Sequence, residues 1–420
     1  MKPCFNSLLG NMRVLFVDHT LRKSGAAISL GDLICRLSPE IRPHYLLRAN
    51  NECEDVLATV DGPRYHERWL PQFITTIYGR PYSPALYGWH CLKTPLALLH
   101  FHRLCRRWDI DLIHLNETVL VPYVYFARLL GRPVVVHART VLDTARPETR
   151  LLDLAARWNG VSVIAIDEEV RSSLPPASRR KAAIVYNPIK QQKPPSRETI
   201  HSVRSAWGFA PNDVVVGQVG SLHREKGVWE ILALAEGMSC PRVRFVLVGD
   251  DSGEAGEGPQ LRQAIRAKGL ERRVILAGYR RDLSAVYGAF DISLCLFGKG
   301  LKGVGRTAFE AALAGRPVVV TLPGAGRSSA TVAGELGIVL EPDDLAGIKE
   351  ALMGLISSAE RRREVGERAR STLGQRHDPQ RVARQVEQVY EGALAKVEWR
   401  HPHRDSGEAG TAGPQKEQTW

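Results

Sequence analysis

Along this chain, short runs of β-branched and other apolar residues alternate with longer helical patterns almost from end to end. In the first half the runs are RVLFVD (13–18), HYLLR (44–48), DLIHL (111–115), PVVVH (133–137), VSVIAI (161–166) and AIVY (183–186). The second half repeats the theme with DVVVGQVG (213–220), VRFVLVG (243–249), RVILAG (273–278), DISLCLF (291–297), PVVVT (317–321) and GIVL (337–340). Strands so continuously apolar are covered on both faces, and strands separated by helices join into parallel sheets. Two sets of about equal size predict an α/β protein of two Rossmann-like, doubly wound domains facing across a cleft. The pattern places the first domain at 11–190 and the second at 205–375. A linker at 191–204 falls in the polar, proline-bearing stretch that begins NPIKQQKPP at Asn187. Segment 376–398 reads as an amphipathic helix able to pack back on the first domain, and the polar, glycine-rich 399–420 as a disordered tail.

Both halves open with a strand, a small-residue turn and a helix: RVLFVDHTLRKSGAAISLGDLI and VVVGQVGSLHREKGVWEILALA. Ligands of open α/β sheets bind beyond the carboxyl ends of the strands, so two facing sheets enclose a cleft lined by both openings. The stretch KGVGRTAFEAALAGRPVVV (Lys302–Val320) carries the most chemistry. Gly298, Gly300, Gly303 and Gly305 allow close backbone approach to a ligand, and a helix over 306–314 presents unpaired N–H groups to an anion. Lys299, Lys302 and Arg306 add positive charge. Glu310 lies about one turn into that helix, placed to accept hydrogen bonds from the two neighbouring hydroxyls of a ribose. In GSLHREKG, Lys226 stands where a helix begins and can neutralise a diphosphate. The competing bland readings are a solvated surface loop for the first stretch, and a lysine paired with Glu225 or Glu230 for the second.

Composition narrows the partner without naming it. Of 420 residues, 57 are Lys or Arg against 45 Asp or Glu, and the resulting +12 favours an anionic ligand or surface. No nucleic-acid-binding module or basic repeat occurs, so no nucleic-acid partner is expected. Seven scattered cysteines, never spaced C-x-x-C, argue against a zinc site or disulfide framework and for a reducing compartment. Cys35 and Cys295 fall in apolar patterns and read as core thiols. The opening MKPCFNSLLGN lacks a long apolar signal region, and the best spanning candidate, Val119–Val136, is broken by Pro122, Arg128, Arg132 and Pro133. A cytoplasmic location follows as an expectation, with peripheral contact at the inner membrane surface a further option.

The stretches GSLHREKGVWEIL, FVLVGDDSGEAGEGPQL, VILAGYRRDLSAVYGAFDISL and GVGRTAFEAALAGRPVVVT resemble the second domain of retaining GT-B glycosyltransferases of family 4. The likeness is strong over about Val214–Ile356 and looser in the first domain, through SGAA, DIDLIHLNE, PVVVHART and IVYNPI. It implies a GT-B fold and metal-independent transfer of a hexose-type sugar from a nucleotide-diphosphate donor. No cofactor is implied beyond that donor substrate. The acceptor would be a glycan or lipid-linked saccharide, in cell-surface polysaccharide biosynthesis. Carried across by position, Lys226 contacts the donor diphosphate and Glu310 the ribose, with Gly25 facing the diphosphate from the opposite domain. Gly303, Gly305, Arg306 and Thr307 line the sugar and phosphate pocket. Three positions depart from the family pattern. Lys302 replaces a glutamate eight residues before Glu310, Ser221 replaces an arginine, and Arg139 stands where a histidine is common, with His137 two residues earlier. Arg224 or Lys302 is expected to supply the missing charge, and Arg139 and His137 to orient acceptor or diphosphate. Rival readings are a nucleotide-sugar epimerase of the same fold and a non-catalytic nucleotide-sugar-binding protein.

Other signals are set aside. The DID at 109–111 precedes its strand and belongs at the amino edge, away from the cleft. His100 and His102 lie on different helix faces and cannot share a metal. The stretch 94–109, with Arg103, Arg106 and Arg107 on a different face from Leu98, Phe101, Cys105 and Trp108, reads as a surface helix packed on the sheet, with docking on anionic lipid headgroups the sharper alternative. Segment 62–90, rich in Tyr, Trp and Pro, reads as a long acceptor loop.

Overall fold

The computed structural model describes residues 11–397 except 22–23, 58–59, 73–75, 78–79, 82–83, 144–146, 192, 251–256, 299–303 and 324–331. Its first sheet is built from β1 (Met12–Asp18), β2 (Ile41–Arg48) and β3 (Arg64–Glu67), followed after a small antiparallel pair, β4 (Thr76–Ile77) and β5 (Arg80–Pro81), by β6 (Leu112–Leu115), β7 (Val134–Ala138), β8 (Val161–Ala165) and β9 (Ala182–Ile184). The order is β3-β2-β1-β6-β7-β8-β9, with every pairing parallel. The second sheet holds β10 (Val214–Val219), β11 (Val243–Val248), β12 (Val274–Gly278), β13 (Ile292–Cys295), β14 (Val318–Thr321) and β15 (Gly337–Leu340), ordered β12-β11-β10-β13-β14-β15.

Alternation within the strands shows why each sheet needs helices on both faces. In β1, Leu15 and Val17 enter one apolar core while Val14 and Phe16 enter another. In β11, Val246 and Val248 face one core, and Phe245 and Leu247 the other. A strand buried on both faces cannot alternate with polar residues, which is why these runs read as continuous. Order reverses between β1 and β6 in one sheet and between β10 and β13 in the other, and such switch points open crevices at the carboxyl edge.

Two features join the halves. The chain leaves the first sheet through Val185–Ile189 and returns at His377. There Ile189 N donates to the His377 carbonyl (3.0 Å) and His377 Nδ1 donates to the Asn187 carbonyl (2.8 Å). The last described helix, Pro379–Leu394, then lays Val382, Ala383, Val386, Tyr390 and Ala393 into the core shared with Phe16, Leu30 and Val135 of the first sheet.

Some expectations change. Within 62–90, read as a loop, Arg64–Glu67 forms an edge strand and a 24-residue helix starts at Pro84. The strand is polar because an edge position packs lightly, and its Glu67 is buried by accepting a hydrogen bond from His100 (2.9 Å). Cys35, expected in the core, is exposed because it caps the helix Gly25–Ile34 one residue beyond its packed face, whereas Cys295 is buried. Asp111 does sit at the amino edge, accepting from Arg13 N (2.7 Å) at the start of β1.

Candidate functional site

The two switch points face each other. On the first-domain side, β1 ends in buried Asp18, and the helix Gly25–Ile34 starts behind Ser24, whose hydroxyl accepts from Ala27 N (3.2 Å). On the other side the helix Arg306–Leu313 starts behind Gly305, which offers no side chain to cap the first amides. The two helix starts touch: a Cβ on Gly25 would lie 3.4 Å from the Arg306 Cβ. Two positive helix ends brought this close favour negative charge between or beside them.

Arg306 answers part of that demand. Its Nε donates to Glu310 (2.7 Å), Nη2 to Asp32 (2.6 Å), and Nη1 to the Ser29 hydroxyl (2.8 Å) and the Pro188 carbonyl (3.0 Å). The positive charge that Arg306 adds to the loop is thus met by two carboxylates. A guanidinium so nearly buried persists only with its donors satisfied, and the cleft supplies two carboxylates, a hydroxyl and a carbonyl from both domains. Glu310 is held in turn: the Tyr287 hydroxyl donates to its other oxygen (3.2 Å). Burial pushes the Tyr287 phenol well above its usual range, with the Glu310 charge adding to the effect, so it stays a donor.

Lys226 closes a 3₁₀ turn, Arg224–Lys226, ahead of Gly227 at φ +66°. A Cβ on Gly227 would meet the Leu296 Cβ at 2.4 Å, so the turn lies directly on the loop that follows β13. Gln218 stitches the two together, donating to the Lys226 carbonyl (2.6 Å) and accepting from Leu296 N (3.2 Å), while Gly298 N donates to the Glu225 carbonyl (2.9 Å). The Lys226 ammonium lies 4.9 Å from the centre of the Phe297 ring. Burial lowers its pKa, opposed by the Cys295 thiol and Glu225. Cys295, at the end of β13, is itself pushed up to about 12 by burial; Ser293 and Thr307 hydrogen-bond it, the Lys226 charge lowers it and the Glu310 charge raises it. The charges of Lys226 and Glu310 and the Thr307 hydroxyl therefore all act on one buried thiol. Arg224, largely exposed, pairs with Glu257 (3.4 Å) and lies over the Trp229 ring. Lys302 and Gly303 lie outside the described residues.

Arg139 follows β7 and is buried, with each arm taken: Nε donates to Asn116 (2.6 Å), Nη1 to Asn187 (2.5 Å) and Nη2 to His137 Nδ1 (3.3 Å). Burial lowers it to about 10, with Glu117 and Asp18 holding it up. His137 Nδ1 also lies 3.3 Å from His114 Nε2, and His114 Nδ1 accepts from the Tyr390 hydroxyl (2.7 Å). The donor sequence is then consistent in one direction, leaving both imidazoles neutral. Burial and the Arg139 charge drive His137 well below its ordinary value and His114 to about 3. Arg139 and His137, expected to orient acceptor or diphosphate, are both buried and hydrogen-bonded to each other. Asp18, Asn116 and Asn187 beside Arg139, and Asp32 and Tyr287 beside Arg306 and Glu310, carry no site signal in the sequence. DIDLIHLNE and IVYNPI contain Asn116 and Asn187, but only the fold brings them to Arg139.

Residues 200–372 match the model of the family described as glycosyl transferases group 1. That match spans the second domain. Similarity of this chain to named relatives reaches into the first domain. It is 26% identical over 312 residues to 2-deoxystreptamine N-acetyl-D-glucosaminyltransferase of Streptomyces fradiae, covering 68% of this chain and 72% of that one. With D-inositol 3-phosphate glycosyltransferase of Corynebacterium urealyticum it shares 27% over 261 residues, 59% of this chain and 61% of the relative. Among solved structures, Anabaena Alr3699/HepE in complex with UDP superposes with a TM-score of 0.74 at 23% identity, over 90% of this chain and all of that one. Sucrose-phosphate synthase of Thermosynechococcus elongatus gives 0.70 at 15%, over 91% and 99%. This chain has the two-domain GT-B fold of those structures, as its own sequence motifs anticipate.

Proposed function

We propose that this chain is a metal-independent, retaining glycosyltransferase of the family 4 type, moving a sugar from a nucleotide-diphosphate donor to a glycan or lipid-linked acceptor in cell-surface polysaccharide synthesis. The observation that carries the reading is the meeting of two helix N-termini at Gly25 and Arg306, with Glu310 on the second of those helices held by Arg306. The donor diphosphate lies at the uncapped amides behind Gly305, where backbone dipoles and the Lys226 ammonium absorb the charge that develops as the sugar departs. An anion arriving beside Lys226 opposes the burial that weakens its ammonium. Glu310 keeps one acceptor site on each oxygen after Arg306 and Tyr287 are served, enough for two ribose hydroxyls. In this role Arg306 and Tyr287 aim the carboxylate. The acceptor enters from the first domain, on the side of Arg139, and attacks from the face the leaving group vacates.

UDP-sugars are the first donors to test, since the Anabaena neighbour was solved with UDP and with UDP-glucose. A melting-temperature screen over nucleotide sugars is expected to show one clear stabiliser. A ligand at about 100-fold its dissociation constant adds ~2.7 kcal/mol to the native state. Glu310→Gln abolishes that shift for the true donor, and an unchanged shift removes the ribose contact. Donor turnover that yields an epimerised sugar without transfer would overturn the transferase reading.

A further inference from the structure

The helix Pro84–Arg107 hides one face and shows another. Ala97, Phe101, Leu104 and Cys105 are buried in the first domain. The opposite face carries Leu92, Leu96 and Leu99, then Arg103, Arg106 and Arg107, all within about a third of the helix circumference at 3.6 residues per turn. The leucines are 71%, 52% and 54% exposed, and all three arginines are exposed. Single exposed leucines are ordinary on a protein surface; three on one stripe, with no acidic residue anywhere in the helix, are not. Beside the stripe, the half-buried Trp69 indole sits under the Lys93 ammonium (4.2 Å to the ring centre) with the Arg68 guanidinium at 5.9 Å. Indoles and lysines or arginines at one level are the side chains that settle at a bilayer interface.

The polarity of this stripe has a direction. A helix leading into a strand of a parallel sheet runs antiparallel to that strand, so its amino-terminal half lies at the carboxyl edge of the sheet. The leucines are therefore on the cleft side of the first domain and the arginines toward the far edge, a span of about 22 Å from Leu92 to Arg107 at 1.5 Å per residue. No described helix is long and apolar enough to cross a membrane, so any contact of this face with lipid is lateral.

We infer that this face docks the protein on an anionic bilayer surface. Leu92, Leu96 and Leu99 enter the headgroup–acyl boundary near the mouth of the cleft, and Arg103, Arg106 and Arg107 pair with headgroup phosphates. Charge complementarity selects lipid as the occupant: a uniformly anionic surface with apolar depth matches leucines followed by arginines with no acid between them. The inference is independent of the sugar-transfer reading, because nothing in it involves the donor site.

The test is sedimentation of the full chain with phosphatidylcholine vesicles, with and without phosphatidylglycerol. The protein is expected to pellet with the anionic vesicles and to be released by high salt. Leu92→Ser/Leu96→Ser/Leu99→Ser weakens vesicle binding about tenfold or more, and Arg103→Gln/Arg106→Gln/Arg107→Gln weakens it about fivefold per arginine removed. Leu129→Ser, at an 84% exposed leucine on another helix, leaves it unchanged. Circular dichroism and melting temperature confirm that each variant folds, and a retained donor-induced melting shift separates loss of docking from loss of the donor site. Absence of wild-type binding to anionic vesicles, or equal binding by the triple leucine variant, overturns the inference. So does self-association in solution that the leucine changes abolish while wild-type vesicle binding is missing, which would make the face a contact between copies.

Discussion

His114 shows how much one buried side chain constrains. It sits in β6 with no exposure, its Nδ1 accepting from Tyr390 and its Nε2 facing His137. Its folded pKa of about 3, set first by burial and then by the Arg139 charge, lies far below the 6.5 of an unfolded histidine. His377 at the crossover behaves alike, lowered to about 4 by burial despite its hydrogen bond to Asn187. The sign follows directly. Where the folded pKa is depressed, the unfolded chain binds more protons below pH ~6.5, so the stability held above that pH is lost progressively as pH falls toward 4 and then 3. The melting temperature is expected to drop through this window, and His114→Gln to flatten the slope while lowering stability at neutral pH. A slope unaltered by His114→Gln would show that this imidazole is not the group titrating.

At the scale of elements, the strands were legible because a doubly buried strand has no polar positions to hide among, and every β-branched run noted in the sequence forms one. What stayed hidden is explained by contacts rather than composition. RYHE reads as loop because three of its four residues are polar, yet it pairs with β2 and buries Glu67 against His100. That Lys226 and Glu310 each follow a strand at a switch point was readable from spacing. That Arg306 would be consumed by Asp32, and Arg139 by Asn187, was not, because those partners lie 274 and 48 residues away. Gly227 shows a local turn with a long-range reason. Its φ of +66° is costly for any side chain, and a Cβ would strike Leu296. Gly227→Ala is expected to cost roughly 1–3 kcal/mol and, by displacing the turn that carries Lys226, to weaken donor binding more than it weakens the fold. Denaturant titration set against the donor-induced melting shift reads the two effects apart.

On the scale of the whole molecule, Arg306 makes several of the polar contacts between the two domains among the described residues. Its bonds to Ser29 and Asp32 reach the first domain, whereas its bond to Glu310 stays within its own helix. The consequences of cutting each should therefore differ. Arg306→Leu leaves Asp32 and Glu310 without their cation and is expected to cost roughly 1–3 kcal/mol, discounted from the 3–5 of a fully buried pair because Asp32 is partly exposed. It should also widen the cleft, seen as a larger radius of gyration in small-angle scattering. Asp32→Asn should open the molecule in the same way, while Glu310→Gln should leave its dimensions alone and act on donor binding only. If Arg306 merely orients Glu310, the three variants will scatter alike. If it latches the domains, only the two changes that break the bridge will expand the molecule. A nucleotide diphosphate, by placing its own charge between the helix ends, should then compact Asp32→Asn again, because the attraction lost across the cleft is replaced by a ligand both sides hold.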